Sequence, residues 1–264
     1  MKKVCFFFSL ILLLGFCEAV LAQQFSFNDN TIYWAYQKND TYLTGWDDTN
    51  SWKATDPAKS YQNNYDELGR PRFADINAGW GTIDDTSGDL TEIYFNYLWG
   101  NNLNSGDLFI DINADYQWDY ILVTHDADPT NGSAPEKGIY KVTGNFSAFK
   151  GINNNYYLLS NDYSDDVRDN HPVAVSDNAP LTKIGDFEFR GFDYDISTPV
   201  SFTNFSYTGT DTIHIGVGVP FIIAFTPTCA NDVIYEKVPE PSAALFIGLS
   251  LFSIGFLLRS RVVK

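Results

Sequence analysis

The sequence predicts an all-β protein whose central domain is a β-sandwich of jelly-roll type. Aromatic residues are frequent, with 16 Tyr, 21 Phe and 6 Trp among 264 residues, and aromatic side chains favour strands. Gly, Asn and Asp divide the chain into many short apolar segments, which is typical of strands joined by turns. No window of 12 or more residues in the central part has a convincing 3.6-residue apolar period. Many short strands with frequent turns favour a sandwich.

The clearest strand signal is an alternation in residues 93–99. Ile93, Phe95, Tyr97 and Trp99 lie on one face of that segment, as expected for the two-residue period of a strand. Turn residues separate the further strand candidates, which in chain order are residues 108–110, 120–123, 139–142, 187–189, 212–215 and 221–225.

The N-terminus has the pattern of a secretory signal peptide. Lys2 and Lys3 form the basic region, residues 6–16 form the apolar region, and Ala22 is the small residue at the cleavage position. This pattern predicts a signal peptide over residues 1–22 and export of the rest of the chain.

The C-terminus has three parts. Val238, Pro239, Glu240 and Pro241 come first, followed by 16 uncharged residues from 243 to 258. A permanent membrane span needs about 20 apolar residues, so this transmembrane segment is short. Basic residues follow it and favour a cytoplasmic end by the positive-inside rule, namely Arg259 and Arg261. An ordinary C-terminal membrane anchor is the alternative interpretation.

This tail, residues 238–264, resembles the PEP-CTERM sorting signal of Gram-negative bacteria. The resemblance implies recognition by an exosortase, a membrane cysteine protease-transpeptidase, and removal of the tail near Pro239, Glu240 and Pro241. It also implies that the protein contacts the membrane only transiently through its C-terminal helix. The expected destination is the cell surface or the exopolysaccharide matrix, as in a biofilm.

Residues 23–237 remain as the ectodomain, which is long enough for one all-β domain. The full chain has 17 basic and 33 acidic residues, of which five basic and two acidic ones lie in the end segments. Residues 23–237 therefore carry 12 basic and 31 acidic residues, a net charge of −19. Such a chain repels nucleic acid, and it either attracts divalent cations or is simply soluble. Cys229 is the one cysteine between the end segments, so no disulfide can form within the domain.

A candidate metal site follows the strand candidate at residues 108–110. Asp111, Asn113, Asp115 and Asp119 alternate with other residues, and carboxylate and amide oxygens are the ligands that Ca²⁺ prefers. The segment is not an EF-hand loop, because Tyr116 takes the position of the glycine. The alternative is a plain turn, since Asn and Asp also accept hydrogen bonds from their own backbone.

The same stretch carries a second resemblance. Gly-Asp-Leu-Phe-Ile-Asp and Trp-Asp-Tyr, within residues 106–120, and Thr-Cys-Ala-Asn-Asp-Val-Ile at residues 228–234 resemble segments of exported bacterial ectodomains that end in PEP-CTERM tails. This resemblance implies a β-sandwich ectodomain and no known enzymatic activity.

Tryptophans fall into two groups. Trp34, Trp46 and Trp52 lie in a polar region, where they could stack on sugar rings or plug the ends of the sandwich. Trp80, Trp99 and Trp118 have strand-like neighbours, so we expect them in the core.

Evidence for catalysis is weak. The chain has no G-x-S-x-G, P-loop or H-E-x-x-H motif, and Asp186 and Glu188 are a carboxylate pair of the kind any acidic β-protein contains. We therefore expect no enzyme but a surface or matrix protein with a structural or interaction role, stabilised by Ca²⁺ if the loop binds it. A carbohydrate-binding module is the alternative, and a secreted glycan-processing enzyme ranks third.

Overall fold

A computed structural model of the chain describes residues 23–28, 37–38, 41–42, 76–84, 86–97, 104–124, 133–148, 154–159, 172–216, 219–227 and 234–238. This part of the chain is all-β, and its one helical element is the 3₁₀ turn Asn154–Tyr156. No helix within these ranges has the length and apolarity needed to cross a membrane. The strands are β1 Gln23–Asn28, β2 Gln37–Lys38, β3 Thr41–Tyr42, β4 Ile76–Ile83, β5 Leu90–Tyr97, β6 Leu108–Asp111, β7 Tyr120–Val123, β8 Gly138–Val142, β9 Tyr157–Leu159, β10 Pro172–Val175, β11 Leu181–Arg190, β12 Val200–Tyr207, β13 Phe221–Phe225 and β14 Ile234–Val238.

Ten of these strands form one antiparallel sheet in the order β1-β4-β5-β12-β11-β8-β7-β6-β13-β14. The sheet curls until its two edge strands, β1 and β14, approach each other. Across this approach the ring of Phe25 on β1 meets the ring of Phe221 on β13 edge-on, with centroids 5.0 Å apart. The sheet therefore almost closes around one inner core, and the all-β prediction is confirmed for the residues that the structure describes.

The predicted strands mostly coincide with observed ones. In β5, Ile93, Phe95 and Tyr97 all point inward and are buried, as their alternation predicted. The prediction for residues 212–215 is wrong: Ile213 and Ile215 are buried, but their backbone pairs only with residues 88–90 around an isolated bridge at His214. Burial of two alternate side chains thus occurs there without a continuous ladder.

Phenylalanine rings fill the centre of the curled sheet. Phe95 lies 4.6 Å from Phe225 and 6.1 Å from Phe202, measured between ring centroids. These rings come from three different strands, and each is fully buried. Aromatic pairs in such geometries add about 0.5–1.5 kcal/mol each beyond the burial of their area, so the core is held by aromatic packing.

The first strand pair explains a wrong prediction about Trp80. Gly79 and Gly81 face inward on β4, and the rings of Phe27 and Phe25 lie directly against them. Because the glycines occupy the inward positions, Trp80 between them points outward and is half-buried. The side chains of β4 do alternate between two faces, but the largest of them, Trp80, lies on the outer face. Trp118 is buried as predicted.

A second, smaller core lies on the outer side of β6, β7, β8 and β13. Its central side chains are Phe109, Trp118, Phe146 and Tyr157. Segments that follow β8, the 3₁₀ turn and β10 supply the rest of this cluster. The candidate metal loop therefore sits between two hydrophobic cores.

Candidate functional site

The segment around β6 begins with a buried aspartate, Asp107. One of its carboxylate oxygens accepts the N–H of Thr124 at 3.0 Å, and the other accepts the N–H of Val175 at 2.9 Å. Thr124 follows β7 and Val175 ends β10, so one side chain links the main sheet to the small β9–β10 sheet. Burial raises the pKa of Asp107 to about 7, although both hydrogen bonds oppose the rise.

Gly106 brings Asp107 into this position. Its N–H donates to the carbonyl oxygen of Thr226 at 2.8 Å. A Cβ atom at Gly106 would lie 2.3 Å from the carbonyl oxygen of Val173. Only glycine allows the two backbones to approach so closely.

At the other end of β6, Asp111 organises the predicted metal loop. Its two carboxylate oxygens accept three backbone N–H groups, from Asn113 at 3.1 Å, Asp115 at 3.3 Å and Tyr116 at 2.7 Å. The side chain is fully buried. Burial raises the pKa of Asp111 to about 6, against the opposing effect of the hydrogen bonds from Tyr116 and Asn113.

The other predicted ligands also accept backbone hydrogen bonds. Asp119 accepts the N–H of Ile112 at 2.9 Å, and burial raises its pKa. Asn113 accepts from Asp115 at 3.0 Å, and Asp115 accepts from Gln117 at 2.9 Å. The four side chains that the sequence singled out are thus brought together in one loop, and each accepts at least one hydrogen bond from a backbone N–H of that loop.

The turn has two residues with positive φ, Ala114 at 56° and Tyr116 at 68°. Both conformations are unfavourable for residues other than glycine. They are maintained because the peptide N–H groups on either side donate to Asp111 and Asn113. Tyr116 makes the turn for which an EF-hand loop uses glycine.

The donor chemistry suits Ca²⁺, but the arrangement is that of a hydrogen-bonded turn. Within the described ranges, no three His, Cys, Asp or Glu side chains converge as they would around a metal ion. Asn113 and Asp115 are exposed, and one side-chain oxygen of each accepts a backbone N–H. Ca²⁺ binding by this loop stays a prediction.

Contacts with the second core hold the loop in place. The indole N–H of Trp118 donates to the Tyr157 hydroxyl at 2.8 Å, and that hydroxyl donates to the carbonyl oxygen of Ser147 at 2.6 Å. The N–H of Ala148 donates to the carbonyl oxygen of Tyr116 at 2.9 Å. The loop is therefore tied to the segment after β8 at Tyr116 and, through Tyr157, at Trp118.

Asp107 is the residue that sequence reasoning missed. The available signal was its position: an acidic residue directly after glycine and directly before the apolar run 108–110. A carboxylate that close to a buried strand needs hydrogen-bond donors from the backbone, and the structure supplies two.

Most other predicted site residues lie outside the described residues. They are Ala22, Trp34, Trp46, Trp52, Pro239, Glu240, Pro241, Arg259 and Arg261. Val238 is described: it is the last residue of β14, it is fully buried, and it pairs with Phe221. The ordered sheet thus reaches the first residue of the predicted sorting signal.

The carboxylates of Asp186 and Glu188 do lie on one exposed face of β11. Each has its own partner: Lys183 forms an ion pair with Asp186 at 2.8 Å, and the side-chain amide of Asn204 donates to Glu188 at 2.7 Å. Each of these carboxylates is therefore engaged in a surface contact of its own.

No protein-family model matches this chain, and comparison with curated proteins and with solved structures finds no match either.

Proposed function

We propose that this chain is an exported protein of the cell surface or extracellular matrix whose C-terminal tail is removed by an exosortase. The observation that carries the proposal is the order of the tail: Val238-Pro239-Glu240-Pro241, an uncharged run over residues 243–258, then Arg259 and Arg261. The signal peptide expected over residues 1–22 supports export. The proposed role is structural or interactive within the exopolysaccharide layer.

The position of β14 supports this proposal. The strand ends at Val238 and fills the core with Ile234 and Val238, so removal of the chain after Pro239 would leave the sheet intact. Pro239 has no N–H group and cannot continue a strand ladder. The last residue of β14 is thus the first residue of the expected sorting signal.

Export to an oxidising compartment would not give this domain an internal disulfide, because Cys229 is the one cysteine of residues 23–237. A core packed with aromatic rings stabilises the domain without disulfides. We propose that the curled sheet is a jelly-roll-like sandwich flanked by the signal peptide and the C-terminal sorting helix.

Processing can be tested by expressing the full chain in a Gram-negative bacterium that has an exosortase and in the same strain without it. Mass spectrometry of the exported protein should find a C-terminus near Pro239–Pro241 only in the first strain. Replacing Pro239, Glu240 and Pro241 by alanine should block processing, whereas Lys237→Gln, just before the motif, should not. Retention of Lys264 in both strains would refute the proposal.

A Ca²⁺-stabilised form of the same protein is a second candidate, favoured by the positive φ of Tyr116 at the position of the EF-hand glycine. Asp111, Asn113, Asp115 and Asp119 would hold the ion. Ca²⁺ at a hundredfold excess over its dissociation constant should then raise the free energy of unfolding by about 2.7 kcal/mol. An unchanged unfolding midpoint after chelation and after Ca²⁺ addition would leave the loop as a turn.

Glycan binding through Trp34, Trp46 and Trp52 remains the alternative function. A glycan-processing enzyme would need two carboxylates about 5–10 Å apart in one cleft. Activity against a panel of polysaccharides would establish that role.

A further inference from the structure

A separate surface lies on the outward side of β4 and β5. Trp80 and Tyr94 are cross-strand partners, and their rings stack with centroids 5.1 Å apart and planes 10° apart. Along the same row, Ser26 on β1 pairs with Trp80, and Ser201 on β12 pairs with Tyr94. Because serine is small, the outer flanks of the aromatic pair are left without a large neighbour.

A cavity of about 390 Å³ opens at the start of β5 and the end of β12. Its volume is within the range of small-ligand sites. Polar residues and two aromatic ones, Phe205 and Tyr207, line it; the polar ones include Asp84, Asp89, Glu92 and Asn204.

Glu92 connects the cavity with the aromatic pair. It lines the cavity, one of its oxygens accepts the Tyr94 hydroxyl at 2.8 Å, and the other accepts the Thr82 hydroxyl at 2.8 Å. The carboxylate is thus fixed between two hydroxyl groups at the border of both features. Cavity and aromatic pair form one surface, here named the β4–β5 surface.

The charge of the β4–β5 surface is negative. Asp84, Asp89 and Glu92 line the cavity, and no Lys or Arg does so among the described residues. One oxygen of Asp84 accepts hydrogen bonds from its own turn. One oxygen of Asp89 accepts from Thr212 at 2.8 Å and lies 3.3 Å from Nδ1 of His214. Within the described ranges no donor reaches the second oxygen of either residue. A ligand that carries positive charge fits this lining, and a polyanion does not.

We propose that the β4–β5 surface binds a glycan of amino sugars with free, protonated amines. A pyranose ring has an apolar C–H face that can pack on Trp80 and Tyr94. Its hydroxyls can bond to the side chains of the cavity, and its ammonium group can pair with Glu92 or Asp89. The choice of a glycan over a cationic peptide rests on the proposed location in an exopolysaccharide layer, whereas the surface itself does not depend on processing of the tail.

Binding can be measured with the purified full chain by isothermal titration. The probes are a glucosamine hexamer with protonated amines, an N-acetylglucosamine hexamer, a galacturonate hexamer and hexalysine. We expect binding of the glucosamine hexamer, weaker binding of the acetylated one, and none of the galacturonate. Added salt should weaken the interaction, because it includes ion pairs at an exposed surface.

Matched variants locate the site. Trp80→Ala and Glu92→Gln should each weaken binding about tenfold or more, while Trp80→Phe keeps an aromatic ring and should stay within about threefold of wild type. Asp177→Asn makes the same charge change on an exposed turn after β10, and Tyr194→Ala removes an exposed ring from the β11–β12 loop. Neither control should change the affinity. If Trp80→Ala does not fold, the affinity of Glu92→Gln for the glucosamine hexamer tests the proposal.

Three results would overturn the proposal: equal binding of both sugar hexamers, binding of hexalysine as tight as that of the glucosamine hexamer, or unchanged affinity in Trp80→Ala and Glu92→Gln. Hexalysine binding that Glu92→Gln weakens would instead point to a cationic peptide. A chain that is not processed but binds the glucosamine hexamer would refute the proposed sorting and leave this inference standing.

Discussion

The buried carboxyl of Asp107 gives the sharpest prediction about stability. Its pKa is about 7 in the fold against an ordinary value of 3.8, a difference that corresponds to about 4 kcal/mol. Because the folded pKa is the higher one, the stabilising effect of protonation is complete below pH 3.8 and is lost as the pH rises through about 7. We therefore expect the free energy of unfolding to fall across this window.

Asp107→Asn isolates this contribution. The side chain of Asp107 has two oxygens in both its neutral and its ionised form, and they accept the N–H groups of Thr124 and Val175. Asparagine has one oxygen, so it can accept only one of these two N–H groups. An unsatisfied buried N–H costs about 1–3 kcal/mol, so the variant should be less stable than wild type at pH 5. The variant does not titrate at this position, and its disadvantage should shrink or reverse by pH 8.

Urea unfolding between pH 5 and 8, monitored by tryptophan fluorescence, gives the free energy of unfolding of both proteins by the same linear extrapolation to water. Taking the difference between them cancels the titration of Asp111 and the change in overall charge. Asp177→Asn, an exposed control, should show no pH-dependent difference from wild type. A constant difference between wild type and Asp107→Asn from pH 5 to 8 would show that the two N–H groups keep the carboxylate ionised, and would refute the reasoning.

Three further predictions concern the same segment. Gly106→Ala would place a Cβ 2.3 Å from the carbonyl oxygen of Val173, and should lower the free energy of unfolding by about 1–3 kcal/mol or more; a change below about 0.5 kcal/mol in urea unfolding would contradict this close approach. Trp118→Phe removes the indole donor to Tyr157 and should cost about 1–3 kcal/mol by the same assay, whereas the half-buried Trp80→Phe serves as control and should cost less. Asp111→Asn loses part of the acceptor for three N–H groups, and its cost in unfolding free energy should be largest at low pH and shrink as the pH rises through about 6; a cost that grows with pH would contradict the raised pKa.

The sequence predicts strand positions well where alternation and burial agree. Residues 93–97 alternate, and β5 buries the expected side chains. Alternation cannot predict which face of a strand points inward when side chains of a neighbouring strand fill the core beside it. On β4 the inner positions are Gly79 and Gly81, because the rings of Phe25 and Phe27 fill the space beside them. That information lies some 50 residues away in the chain, so Trp80 was assigned to the wrong face.

The candidate loop shows a similar division. Spacing alone places Asp111, Asn113 and Asp115 in one turn, and the structure brings them together. Spacing cannot predict whether their oxygens face an ion or the backbone, since both uses require the same residue types. The role of Asp107 depends on Val175, which is 68 residues distant, and no local pattern contains that contact.

The tail raises a related question about what its prolines do. Val238 is buried and pairs with Phe221, and a residue that precedes proline is biased towards the extended conformation that β14 requires. Pro239 therefore has a structural reason to follow the strand, separate from any recognition by a protease. A single Pro239→Ala variant would permit one more ladder bond and change both properties at once. Glu240 carries no such constraint on the backbone, so Glu240→Gln tests recognition alone. Loss of processing with an unchanged unfolding midpoint would indicate recognition of the motif, whereas normal processing would show that the charge of Glu240 is not needed for it.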